Sequence, residues 1–266
     1  MSTLQMNVLA CLPPEALGRL RTAVGDAHRV HVALHWEHAS SIIQRHPVDV
    51  IVVDLTCNTE NELAPLTKLR REYPSLPVVL HSTLDAESVA AVAAAGRDGV
   101  ESLVVANVDD DPASFRATLE RQPGVQLAAA LEAALAPQLR SLPEDVARAV
   151  QRVIHTPAAF KGVPDLAAAA NVSRRTIYRE CERAGLASPR ELIAAARVLR
   201  AYALLRECDH AIEDVAEALR FSSPHHLTKT MRWACGLTTA RARDRVSPTD
   251  FVALLAARLV PRTSSS

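Results

Sequence analysis

The stretch DLAAAANVSRRTIYRECERAG, residues 165–185, decides how the C-terminal half of this chain folds. Leu166 and Ala170 are four residues apart and share one face of a first helix, while small Ala167 lets a second helix cross closely. Asn171 stands where a tight turn needs a residue that tolerates left-handed backbone. Val172 then fills the core and Ser173 caps the second helix. Ile177 and Cys181 form that helix's buried stripe, so its opposite face carries Arg174, Arg175, Tyr178 and Arg179. The pattern is that of a helix-turn-helix unit, and three arginines with a tyrosine on one exposed face suit the major groove of duplex DNA.

About fifty residues later the logic recurs in IEDVAEALRFSSPHHLTKTMRWACG, from Ile212. Ala216 repeats Ala167, Ser222 repeats Ser173 as the cap, and Leu227 with Met231 repeats the buried stripe. The outward set becomes His225, Thr228, Lys229 and Arg232. Between the units runs a helix from Pro189 to about Glu207, with Leu192, Ala196, Leu199 and Ala203 at spacings of three and four. A rigid central helix holds two reading heads at fixed separation, as successive major grooves about 34 Å apart require.

This paired arrangement resembles the AraC/XylS family of transcription regulators over roughly Glu144 to Arg245. Phe221, Ser222, Leu227, Lys229, Met231, Arg232, Gly236 and Thr238 occupy the places of that family's signature in the second unit. Two residues depart from it, Arg220 for the turn glycine and Thr239 for the proline. A non-glycine residue in a left-handed turn costs on the order of 1 kcal/mol. The resemblance implies sequence-specific binding of double-stranded DNA.

The first 120 or so residues alternate short β-branched runs with amphipathic stretches, the pattern of a parallel sheet covered on both faces. Strands are expected in NVLACL from Asn7, VHVALHW from Val30, DVIVVDL from Asp49, PVVLHST from Pro77 and GVESLVV from Gly99. Helices are expected over Pro13–Val24, His38–Gln44, Glu60–Arg71, Asp85–Ala95 and Asp111–Arg121. Five such repeats make a flavodoxin-like α/β domain over 1–121. Gln122, Pro123 and Gly124 end it, residues 122–142 form a helical connector, and 143–246 form an all-α domain with two helix-turn-helix units. Residues 247–266 add one helix and a disordered tail.

The N-terminal domain also resembles a response-regulator receiver, because VIVVDLTCN ends its third strand on Asp54, where receivers carry the phosphate-accepting aspartate. Phosphoryl transfer in such a site needs Mg²⁺ held by acidic residues after the first strand, and a lysine after the fifth. Cys11, Leu12 and Leu103 stand there instead, and Ser82 alone keeps the hydroxyl position after the fourth strand. The expectation is a pseudo-receiver whose Asp54 is a vestigial phosphoacceptor. A working response regulator switched at Asp54 is the alternative, and an interaction adaptor that has lost DNA binding is another.

Composition agrees with this division. Net charge is zero overall, yet residues 1–140 hold 11 Lys/Arg against 17 Asp/Glu and residues 141–266 hold 19 against 13. A basic half gains affinity for a polyanion through counterion release. Five scattered cysteines, with no CxxC and no long apolar run, read as a reduced, cytoplasmic chain without membrane insertion. His28, His31, His35 and His38 form the one histidine cluster; on a strand, His31 and His35 stand about 13 Å apart, too far to share an ion. No phosphate-binding glycine loop, nucleophile elbow or zinc-protease motif appears, so no catalytic residue, metal or cofactor is assigned. The expected partners are DNA, a second copy of the chain and a regulatory protein.

Overall fold

The protein is described by a computed structural model over residues 5–55, 63–73, 75–85, 88–98, 100, 102–122, 124–207 and 210–261. Cys57, Glu60, Gly99, Pro123, Cys208 and the tail 262–266 lie outside the described residues. The chain divides into two units, Met1–Val125 and Gln126–Ser266.

The first unit alternates β1 (Asn7–Cys11), α1 (Pro14–Val24), β2 (Arg29–Val32), α2 (Trp36–Arg45), β3 (Val50–Val53), α3 (Leu63–Glu72), β4 (Val78–Ser82), α4 (Ser88–Arg97), β5 (Ser102–Val105) and α5 (Pro112–Glu120). The strands pair in parallel in the order β2-β1-β3-β4-β5, a flavodoxin-like sheet. Side chains alternate across it. Val8, Ala10, Val50, Val52, Val79 and Val104 face one core with Leu20 of α1 and Phe115 and Leu119 of α5. With both faces covered, the central strands are apolar at almost every position.

The second strand ends earlier than the sequence pattern indicates. His35 accepts the amide of His38 on Nδ1 at 3.3 Å and caps α2, so Trp36 begins a helix rather than closing a strand. The histidines therefore separate into a stacked pair, His31 with His46 at 4.8 Å between centroids, and a tilted pair, His35 with His38 at 5.8 Å. No group of three metal-ligating side chains forms among the described residues.

The second unit is helical, with α6 (Val125–Ala134), α7 (Ala136–Ser141), α8 (Glu144–His155), α9 (Val163–Ala169), α10 (Arg174–Arg183), α11 (Pro189–Glu207), α12 (Ile212–Ala218), α13 (Pro224–Cys235), α14 (Thr239–Arg245) and α15 (Pro248–Leu259). The segment expected as a connector holds two helices, and Leu127, Leu131, Leu135, Leu139 and Leu142 lie in the same core as α8. Glu132 fastens α6 to α8, with Oε2 2.6 Å from buried His155 Nε2 and Oε1 accepting from Gln151 Nε2 at 2.7 Å.

At the centre lies α11, packed by α8, α9, α10, α12, α13, α14 and α15. It is buried nearly all round, including Ile193, Ala195, Val198 and Tyr202, which lie off the single apolar stripe read from spacing. Tyr202 donates its hydroxyl to the Val246 carbonyl at 2.5 Å and stacks on Phe251 of α15 at 4.1 Å. The amide of Ala187, beyond α10, donates to the Leu259 carbonyl at the end of α15 at 2.8 Å. The last helix thus ties the exit of the first helix pair to the central helix.

Candidate nucleic-acid interface

Two helix pairs are built alike. After α9 the chain turns at Asn171, φ 51°, with Val172 N donating to Ala167 O and Asn171 N to Ala168 O, both at 3.0 Å. After α12 it turns at Arg220, φ 57°, with Phe221 N donating to Ala216 O at 2.8 Å and Arg220 N to Glu217 O at 2.9 Å. Each is a Schellman ending, which satisfies the last carbonyls of one helix while aiming the chain into the next. Ala167 and Ala216 are buried at the two crossings, and their small side chains let the helices approach closely.

In the first pair Ser173 caps α10, accepting the Thr176 amide at 3.1 Å, and Ile177 and Cys181 are fully buried. In the second the cap is Ser223 rather than Ser222. Ser223 accepts the His226 amide at 3.1 Å, while Ser222 Oγ lies 3.0 Å from His226 Nδ1. The second turn holds one residue more than the first, so the stripe of Leu227 and Met231 sits fifty positions after Ile177 and Cys181 although the turn residues sit forty-nine apart.

The outward faces follow from these registers. Arg174, Arg175, Tyr178 and Arg179 are exposed on α10, and His225, Lys229 and Arg232 are exposed on α13 with Thr228 half-buried beside them. Arg241 and Arg245 of α14 add exposed cations that the sequence reading passed over because they lie beyond the repeated pattern. That reading also passed over Glu180, a buried carboxylate on α10 paired with Arg179 and Arg183. Its position between Ile177 and Cys181 was the available signal.

The strand ends of the first unit hold a different arrangement. Asp54, 7% exposed, follows β3 and its Oδ2 lies 3.5 Å from Nδ1 of buried His81. His81 Nε2 lies 3.6 Å from Oδ2 of buried Asp110, which also pairs with Arg19 of α1 and accepts the Asn107 amide on Oδ1 at 3.0 Å. Burial pushes the Asp110 carboxyl up, but the Asn107 amide and Arg19 outweigh it and hold it below its ordinary value. Cys11 and Leu12, buried at the end of β1, offer no carboxylate to a cation. Ser82 turns its hydroxyl to the Thr83 carbonyl at 2.9 Å. These residues do not fit the Mg²⁺ that receiver chemistry requires.

Among known proteins, residues 166–245 match the model of a family described as a helix-turn-helix domain, and this part of the chain is a helix-turn-helix domain of the AraC type. The comparison with curated proteins gives no match. Solved structures with similarity include full-length FixJ from B. japonicum, at 12% identity and TM-score 0.38 over 86% of this chain and 96% of that one. The xylose-binding transcription activator xylR is similar at 15% identity and TM-score 0.37, over 91% of this chain and 71% of that one. NtrX from Brucella abortus, in complex with ATP, is similar at 15% identity and TM-score 0.36, over 57% of this chain and 35% of that one.

Proposed function

From a chain that carries an AraC-type helix-turn-helix domain behind a receiver-like unit, and is in outline a DNA-binding transcription regulator, we propose a finer reading. Its two reading helices, α10 and α13, bind duplex DNA sequence-specifically, and its first unit controls that binding through protein contacts rather than phosphoryl transfer. The observation that carries the proposal is the matched pair of Schellman turns, each followed by a capped helix with a basic outward face, packed on one buried central helix. Arg174, Arg175, Tyr178 and Arg179 read or clamp one major-groove segment, and His225, Thr228, Lys229 and Arg232 the next. The chain performs no catalysis and takes no metal or cofactor.

Control by contact is supported by the strand ends of the first unit. Asp54 is buried against His81, and no carboxylate after β1 is placed to hold a metal. A second copy of the chain fits this role, because two reading pairs on one operator multiply affinity through effective concentration. A regulatory protein bound to the first unit is the other form of the same control. The test is anisotropy with the full chain on genomic and random duplexes at several salt concentrations. A preferred site whose affinity falls steeply with salt is the expected result. Equal affinity for all duplexes would sink the proposal and leave the interaction adaptor.

A further inference from the structure

On α10, an apolar residue at position 180 would continue the stripe of Ile177 and Cys181, yet the residue is Glu180, 5% exposed. A buried carboxylate is costly unless cations meet it, and two arginines do: Oε1 accepts hydrogen bonds, whereas Oε2 is held by an ion pair and accepts no hydrogen bond. Arg179 donates Nε and Nη2 to Oε1 at 3.2 and 3.0 Å, and Arg183 Nη2 stands 2.6 Å from Oε2. The two arginine side chains remain 69% and 63% exposed. They are four residues apart, so they rise from one side of the helix with their charged ends tied to a common anchor. Each guanidinium has five N–H donors, and the anchor engages only part of them.

A free surface arginine samples many rotamers and must be frozen when it binds, which costs side-chain entropy. An anchor inside the protein removes most of that cost in advance. The anchor also cancels one positive charge, which weakens attraction to phosphates of any sequence. Geometry and charge thus act in the same sense, towards discrimination and away from indiscriminate affinity.

We propose that Glu180 is a positioning residue, holding the Arg179 and Arg183 guanidinia in a fixed arrangement so that α10 discriminates between DNA sequences rather than only attracting phosphate. The inference rests on the DNA-reading role of α10. The carboxylate touches no base itself and acts through the two arginines.

The experiment selects a preferred duplex from a random pool with the full wild-type chain. It then measures affinity for that duplex and for random duplex, across salt, in wild type, Glu180→Gln and Glu180→Leu. Leu extends the apolar stripe and guards against a fold lost through the buried amide, and circular dichroism checks both variants. The expected result is a fall of about tenfold in the ratio of specific to random affinity, in the range of one lost bidentate contact. Random-duplex affinity rises at the same time and the slope of log affinity against log salt steepens by about one. A merely structural role would lower both affinities together with the slope unchanged, and that outcome overturns the proposal, as does an unchanged ratio. If the wild-type chain itself selects no sequence, the DNA-reading role falls and takes this inference with it.

Discussion

Replacing Arg220 by glycine separates the strain of the second turn from its chemistry. Arg220 is exposed at φ 57°, in a conformation that costs an ordinary L-residue about 1–2 kcal/mol. Glycine adopts it freely but gives back about 0.4–1 kcal/mol through the entropy of the unfolded chain. The difference favours the variant by about 0.5–1 kcal/mol. A second effect has the same sign. Partial burial pushes the Arg197 guanidinium below its ordinary pKa and nearby Arg220 pushes it further, against the opposing pull of Asp165, so removing Arg220 relieves a repulsion on a half-buried cation. Urea unfolding of the full chain measures the change. The two tryptophans, Trp36 and Trp233, fall in different units, so a Trp36→Phe background makes fluorescence report the helical unit alone. With a slope of about 2 kcal/mol per molar urea, the midpoint should rise by about 0.3–0.5 M. Asn171→Gly, at φ 51°, should give less, because asparagine tolerates this conformation better than arginine does. A lower midpoint for Arg220→Gly, or a larger gain for Asn171→Gly, would refute the assignment of strain to Arg220.

Arg175→Ala and Arg179→Ala should each weaken binding to the preferred duplex by about 1–3 kcal/mol with helix content native, whereas Ile177→Asp, at a fully buried site, should unfold the helical unit; circular dichroism and anisotropy distinguish the cases. Asp54→Ala should leave DNA binding and reporter output unchanged, and acetyl phosphate should not label the protein; a stable aspartyl-phosphate detected by mass spectrometry would reinstate switching at Asp54. Burial depresses the pKa of His28 and of His31, with Glu120 opposing the first shift and His46 adding to the second. The unfolded chain therefore binds more protons than the folded one below about pH 6.5, so stability of the first unit is full above that pH and falls as pH drops towards the folded pKa values. His28→Asn should flatten part of that decline in urea midpoints taken from pH 8 to pH 5.

The fold was legible because its signals are local. Alternating apolar runs specify strands, and a small residue, a left-handed turn residue, a serine cap and a four-residue stripe specify each helix pair, all within about twenty positions. Where two local candidates stood side by side, the local signal failed. Ser222 and Ser223 both offer a cap hydroxyl, and the spacing of Leu227 and Met231 against α11 selects the second. The early end of β2 is a similar case, since Val30 to Trp36 alternates well enough for a strand until His35 turns to cap α2.

By itself the sequence determined the order of elements, the two outward basic faces and the absence of carboxylates after the first strand, because each depends on residue types at fixed short spacing. Tertiary structure decided what depends on segments far apart in the chain. Arg19, Asp54, His81 and Asp110 meet at the sheet's end only because parallel pairing brings β3 and β4 together and α1 lies against the same core as α5. Leu127, Leu131, Leu135, Leu139 and Leu142, in the segment read as a connector, lie in one core with α8, a packing that their own spacing does not reveal. Glu180 shows the limit most plainly. Its neighbours Arg179 and Arg183 are visible in the sequence, but only packing puts its carboxylate inside, and a carboxylate out of water must bind its cations where a solvated one need not.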